Sequence, residues 1–272
     1  MAAQGGTVKA DAPAIAIAGL EKHFGTLKVL ADLDLVVADK ELVCILGPSG
    51  SGKSTLLNII AGLETADAGN VTLGGKRVGY LFQEPRLLPW LTAERNVDFA
   101  LQGCAVPAAR WGELKDHYFA LAGLSEFRNY YPHQLSGGMR QRVALVRSLC
   151  VEPGILLMDE PFGGLDDLTA RRLRVDLLRI WRESRKTIVF VTHNAYEACY
   201  LADRVVVMAH GRIRDEIAVN IPRPRDYDDP AVFDVNRDVV RRFLAAAELQ
   251  PEHASALPPV PNPVSHSPGG LP

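Results

Sequence analysis

The run Leu42-Val43-Cys44-Ile45-Leu46, followed at once by Gly47-Pro48-Ser49-Gly50-Ser51-Gly52-Lys53-Ser54-Thr55, constrains this chain more than any other stretch. Five consecutive apolar residues read as a strand covered on both faces. The glycines let successive backbone N–H groups turn inward without Cβ clashes, and the apolar helix over 54–62 adds its positive end. Strand, glycine loop and helix in that order form a phosphate cradle. Lys53 is expected to reach the β- and γ-phosphates of a nucleotide, Ser54 to ligate Mg2+, and Thr55 to touch the α-phosphate side.

The rest of the chain supplies the sheet that such a loop needs. Leu33, Leu35 and Val37 alternate as a half-buried strand does, a hairpin-like Val71-Thr72-Leu73-Gly74-Gly75 follows the first helix, and Val78 to Phe82 is a further strand. Between 84 and 149 the period turns helical, with helices expected at 92–102, 107–123 and 138–150. Strands at 155–158, 187–192, 204–209 and 212–219 then alternate with helices at 167–183 and 194–201. Alternation of this kind predicts an α/β domain built on a parallel sheet with helices on both faces. The helical block at 84–149 reads as an insertion into that domain, which spans 14–221.

Asp229-Pro230 reads as an N-cap with proline at the first helical position, opening an extension over 222–250 with Val232, Val235, Val239 and Phe243 on one stripe. Residues 1–13 read as a disordered leader and the proline-rich 251–272 as a disordered tail.

Composition narrows the function. Thirty Lys and Arg against 32 Asp and Glu leave no basic excess for nucleic acid or an anionic bilayer. No apolar run approaches the ~18–20 residues that span a membrane, and the N-terminus lacks the apolar core of a secretory signal. The expectation is a cytoplasmic protein that reaches a membrane through partners. The four cysteines are scattered without a CxxC pair, which argues against a disulfide or zinc site, and Cys44 and Cys150 read as core residues.

Ile155-Leu156-Leu157-Met158 is an apolar strand with Asp159 and Glu160 at its carboxyl end, where α/β sheets bind ligands. Beside a phosphate loop, Asp159 is expected to hold Mg2+ through water, and Glu160 to polarise a water for in-line attack on a γ-phosphate. Leu135-Ser136-Gly137-Gly138-Met139-Arg140-Gln141 precedes an amphipathic helix. Taken alone it is an N-cap with a glycine pair, and its exposed helix start is an anion site.

These three segments in this order resemble the ATP-binding subunit of an ABC transporter, the heptapeptide matching that family's signature residue for residue. The resemblance covers most of 14–245. It implies a P-loop NTPase (RecA-like) sheet core, an inserted helical subdomain and a small antiparallel β subdomain. It also implies ATP and Mg2+ as cofactors. Gln83 stands where the family's Q-loop glutamine senses Mg2+ and the attacking water, Phe24 where an aromatic ring stacks on adenine, and His193 where a switch histidine contacts the γ-phosphate. Asp166 falls in the D-loop, with Gly164 where alanine is more usual. Asn194 replaces the usual aspartate after the histidine.

The same resemblance implies that Ser136, Gly137 and Gly138 of a second copy close the open side of the phosphate, sandwiching two ATPs in a homodimer. Arg140, Arg142 and Arg147 read as a solvated face. Glu84 to Trp90 stands where a permease would dock, though Leu87, Leu88 and Trp90 equally suit the core of the insertion. Leu88-Pro89-Trp90-Leu91, Leu165-Asp166-Asp167-Leu168-Thr169, Ile180-Trp181 and Pro222-Arg223-Pro224-Arg225-Asp226 resemble the nitrate, sulfonate and taurine importer branch. That branch implies a separate integral membrane permease, an external solute-binding protein, and a place on the cytoplasmic face of the inner membrane. Uptake of another small solute such as a thiamine-precursor pyrimidine, an exporter ATPase, and a soluble ABC ATPase of DNA repair are the alternatives.

Overall fold

A computed structural model describes residues 12–248; the tail expected over 251–272, and the leader apart from Ala12 and Pro13, lie outside the described residues. The first hairpin joins β1 (Ile15–Phe24) to β2 (Leu27–Val37) through Gly25 and Thr26. β3 (Leu42–Leu46) enters the glycine loop and α1 (Lys53–Ile60) leaves it. β4 (Ala68–Thr72) pairs antiparallel with β1, closing a three-stranded sheet in the order β2-β1-β4. After β5 (Val78–Leu81) come α2 (Ala93–Gly103), α3 (Trp111–Leu121) and α4 (Gly137–Cys150). Strand and helix then alternate through β6 (Ile155–Asp159), α5 (Asp167–Ser184), β7 (Thr187–Thr192), α6 (Ala195–Leu201) and β8 (Arg204–Ala209). β9 (Arg212–Ala218) and α7 (Pro230–Glu248) finish the described chain.

The larger sheet has the order β5-β6-β7-β3-β8-β9. Side-chain alternation explains its two coverings. Leu42, Cys44 and Leu46 of β3 face the cluster built with α2 to α7, while Val43 and Ile45 face the cluster built with α1 and the three-stranded sheet. β6 divides in the same way, with Leu156 and Met158 on one side and Ile155 and Leu157 on the other. The result is the α/β P-loop NTPase architecture, with an antiparallel sheet on one face and the helical block on the other.

Two details depart from the sequence reading. Val71 to Gly75 is not a hairpin, because β4 and β5 belong to different sheets. β5 sends Val78 and Leu81 to opposite cores, so it needs a place inside the larger sheet beside β6. β4 packs only Val71 and stays at an edge. The sheet is also not wholly parallel: β9 runs antiparallel to β8. Its turn has two residues, His210 at φ 51° and Gly211 at φ 73°, a geometry that matches the twist of a hairpin. A Cβ on Gly211 would lie 2.4 Å from Val29 O. Gly211 also donates to Ser51 O (3.2 Å) and accepts from Ala31 N (3.0 Å), tying β2 and the glycine loop to this hairpin.

The C-terminal helix is capped by Asp229, whose Oδ1 accepts from Ala231 N at 2.9 Å. Val232 and Val239 are buried, and Val235 and Phe243 pack against the same core. Just before it, buried Arg225 donates to the carbonyls of Cys199, Tyr200, Ala202, Val219 and Ile221 at 2.7–3.2 Å. The first three carbonyls end α6 and have no partner of their own within that helix. A planar fork of five N–H groups suits this task, and a lysine ammonium does not. Arg225→Lys is expected to lower folding stability by about 2 kcal/mol, seen as an earlier urea midpoint with unchanged slope.

Candidate active site

Four adjacent strands, β5, β6, β7 and β3, end on the same side of the sheet and carry the site. The loop after β3 needs its glycines for two different reasons. Gly50 and Gly52 have φ of 78° and 96°, in the left-handed region. Gly47 has no room: a Cβ there would lie 2.4 Å from Met208 O and 2.7 Å from Ser51 Oγ. No side chain caps α1, so its first N–H groups face the loop. Lys53, buried, folds back and donates to Gly47 O and Pro48 O at 2.9 Å each. Burial lowers its pKa, and the carboxylates of Glu160 and Asp159 oppose that shift. Ser51 Oγ is buried with no partner. Loop, uncapped helix start and ammonium thus suit an anion such as a polyphosphate.

Asp159 closes β6 and accepts from Ser54 Oγ at 3.0 Å. Burial raises its pKa, against the Ser54 hydrogen bond. This pair could share a divalent cation only if phosphate oxygens and water complete the shell, because among the described residues no three His, Cys, Asp or Glu side chains cluster as metal ligands. Glu160 comes next, with its backbone at φ 41°, strained for a non-glycine residue. Its N–H is anchored to Val191 O at 3.1 Å. Gln83 Nε2, just past β5, donates to one carboxylate oxygen at 3.4 Å, and His193 Nδ1, just past β7, lies 3.3 Å from the other. Gln83 and His193 are exposed, so the cluster opens to solvent.

The remaining residues singled out by the sequence stand apart from this cluster. Phe24 ends β1 with its ring half exposed and Lys22 Nζ 5.1 Å from its centre. Asp166 caps α5, accepting from Thr169 N at 3.0 Å, a bond that lowers its pKa. Ser136 caps α4 by accepting from Met139 N at 3.2 Å. A Cβ on Gly137 would make ordinary contacts with Leu165 Cδ2 (3.8 Å) and an Arg140 nitrogen (3.9 Å), whereas one on Gly138 would lie 2.4 Å from Thr169 Cγ2. Gly138 is therefore required for the packing of α4 on α5 within one chain. Gly164 has φ 71°, where alanine would be strained, and Asn194 caps α6 through Tyr196 N and Glu197 N as an aspartate would.

A family model described as ABC transporter matches residues 30–163. An aliphatic sulfonates import ATP-binding protein of Burkholderia lata is 46% identical over 222 residues, 78% of this chain and 79% of that relative. This chain belongs to the ABC transporter ATP-binding family. An uncharacterized ABC transporter ATP-binding protein of Methanocaldococcus jannaschii is 44% identical over 209 residues, 74% of this chain and 78% of its own length. A dimeric ATP-binding cassette in a post-hydrolysis state, bound to ADP and Pi, matches with a TM-score of 0.68 at 31% identity, over 76% of this chain and 100% of that one. As a member of this family the chain is an ATPase that binds ATP.

Several residues around the ATPase site escaped the sequence reading. Arg147 is not part of a solvated face: it donates to Pro85 O and Arg86 O at 2.8 Å each, binding α4 to the segment after Gln83. Burial lowers its pKa. Arg140 likewise turns to Leu135 O, and Arg142 pairs with Asp176 at 3.1 Å. Gln141, buried, donates to Pro161 O at 3.0 Å, fixing the chain just past Glu160. Thr192 Oγ1 donates to Glu197, which pairs with Arg174, which donates in turn to Tyr227 Oη. Except for Arg140 with Leu135 and Thr192 with Glu197, each five apart, these partners lie 20 to 62 residues apart, so no local pattern announces them. Of the 84–90 segment, Leu87 packs against the core while Trp90 is 69% exposed.

Gly138→Ala is expected to lower stability by about 1–3 kcal/mol through overpacking. Adding Thr169→Ser, which removes the clashing methyl, should restore most of it in thermal melts.

Proposed function

We propose that this chain is the ATPase subunit of an importer for a small organic anion of the sulfonate type, working as two identical copies against a separate membrane permease. The observation that carries the reading is the convergence of Gln83 and His193 on Glu160, one residue beyond the Ser54–Asp159 pair. In this reading the triphosphate lies in the loop Gly47-Pro48-Ser49-Gly50-Ser51-Gly52, with Thr55 on its α-phosphate side. Lys53 leaves the carbonyls of Gly47 and Pro48 for the β- and γ-phosphates, and Phe24 offers its exposed ring to adenine. Ser54, Asp159 and Gln83 would hold Mg2+, which would supply charge neutralisation to the phosphates.

Glu160 then acts on water. Its carboxylate accepts the proton as the water oxygen bonds to the γ-phosphorus and the bond to the ADP oxygen breaks, giving ADP and phosphate. Gln83 orients the carboxylate and the water, and His193 contacts the γ-phosphate. The strained backbone and the anchored N–H of Glu160 hold the base in place before substrate arrives. Ser136, Gly137 and Gly138 of the second copy complete the phosphate shell at the start of α4, with Asp166 at the join. Hydrolysis opens the pair, and the motion passes to the permease through the segment bearing Trp90.

Cargo is the finer step, and support for it comes from the sulfonate-import relatives together with the importer-branch strings at 88–91, 165–169 and 222–226. The reading places the pair on the cytoplasmic face of the inner membrane, an external solute-binding protein delivering cargo, and assigns no role to nucleic acid. Among the described residues no helix is long and apolar enough to cross a membrane, which leaves that crossing to the permease.

Glu160→Gln is expected to keep ATP binding, lose hydrolysis by on the order of 10²–10⁴-fold, and accumulate as a dimer in Mg-ATP. A monomer by light scattering under saturating nucleotide would contradict the sandwich. For cargo, deletion of the gene should abolish growth on alkanesulfonates as sole sulfur source and spare growth on sulfate; unchanged growth on sulfonates would reject that solute class and leave the ATPase reading intact.

A further inference from the structure

Away from the ATP site, a groove of about 630 Å3 runs between α5 and the segment after β9. Arg171, Arg179 and Arg182 line one wall, and Arg223, Arg225 and Asp226 the other. Pairing removes part of this positive charge. Arg171 lies 3.4 Å from Asp228, and Arg223 pairs with Asp203. Arg179 is 3.9 Å from Asp176, which is closer to Arg142 at 3.1 Å. Arg182 has no ion pair among the described residues, and Arg225 meets only backbone carbonyls. The donors of Arg225 are taken by carbonyls, so Arg182, together with Arg179, which also donates to Leu121 O, faces a single lining carboxylate, Asp226.

Two further observations point to a ligand. Tyr200 lines the groove while only 4% exposed, and its hydroxyl has no hydrogen-bond partner among the described residues. In the facing wall, Arg223 Nε is buried with no hydrogen-bond partner among the described residues. The groove also has an apolar side: Leu178 and Val175 of α5 line it, and Val175 is 49% exposed.

We propose that this groove binds a small organic oxyanion, a sulfonate or carboxylate headgroup carried on a short apolar chain. The headgroup takes the arginines and the Tyr200 hydroxyl, and the chain lies along Val175 and Leu178. A guanidinium group can donate two parallel N–H bonds to a pair of oxygens of such a headgroup, and the volume is that of a small-molecule site. The site is independent of which solute the permease carries and shares no residue with the ATP site. It is still linked to it, since Tyr227 in its wall ends the polar chain that starts at Thr192, beside His193.

The test is calorimetry on the full-length protein saturated with Mg2+ and a non-hydrolysable ATP analogue, so that the phosphate loop is already filled. The probe is 1-butanesulfonate, with inorganic sulfate as comparison. Saturable one-to-one binding is expected, weakened about tenfold or more by Arg182→Glu, one charge reversal at a partly open site. Arg182 makes no hydrogen bond or ion pair among the described residues, so this variant should melt close to the parent, with only the small loss that a charge reversal in the last turn of α5 brings; Tyr200→Phe, which removes one hydroxyl, should weaken binding several-fold as a second measure. Absence of saturable heat would overturn the proposal, as would equal affinity in both variants. Sulfate binding as tightly as butanesulfonate would overturn the assigned class.

Discussion

Neighbouring strands of a parallel sheet all end on the same side, and the length of each decides which residue emerges there. In this chain β5, β6, β7 and β3 finish almost level: Leu81 pairs with Met158, Asp159 with Val191, and Leu46 with Thr192. Gln83, Glu160, His193 and Gly47 therefore leave the sheet side by side. Main-chain bonds from Glu160 N to Val191 O and from Gly47 N to Thr192 O hold that level one residue past the ladder. A slip of one residue in any of these strands would turn its apolar side chains to the wrong core and withdraw one member of the site. The same register thus serves stability and chemistry at once.

The sheet level has a counterpart among the helices. Arg147 and Gln141 run from α4 to the chain just past Gln83 and just past Glu160. The helix that begins at Ser136 is in this way fastened to two of the strand ends, and Gly138 lets it lie close against α5. Side-chain donors to backbone carbonyls do much of this fastening. Arg140, Arg147, Arg179, Arg223 and Arg225 all donate to main-chain oxygens. A near-neutral overall charge conceals this use, because these guanidinium groups address helix ends and turns, and only Arg179 and Arg223 among the five also meet an acidic side chain.

Features that depend on neighbours in the sequence were legible in it. The strand–loop–helix at 42–60, the apolar strand ending in Asp159, the caps at Ser136 and Asp229, and the extents of α5 and β7 all follow from periodicity and capping chemistry within a few residues. What pairs with what was less legible. Val71 to Gly75 reads as hairpin-like because its turn glycines are strong, yet burial demands place the strands on either side in different sheets. β9 reverses because of a two-residue turn whose positive φ values no propensity of His210 announces. Arg147 looked like any solvated arginine on a helix, since its acceptors lie 61 and 62 residues away. Gly138 carries a second requirement that the motif does not announce: its missing Cβ also makes room for Thr169.

The small turn at His210 and Gly211 bears on how the glycine loop can move. Gly211 is bonded through its main chain to Ser51 in that loop and to Ala31 in β2, and its hydrogen atom faces Val29 O. None of these ties uses a side chain, so they survive changes in side-chain identity everywhere except at the glycine itself. The loop, the start of β2 and the β8–β9 hairpin are consequently held to one another by main-chain bonds. In the proposed reading, the adjustment to nucleotide falls to the side chains of Lys53, Gln83 and His193, none of which takes part in these bonds.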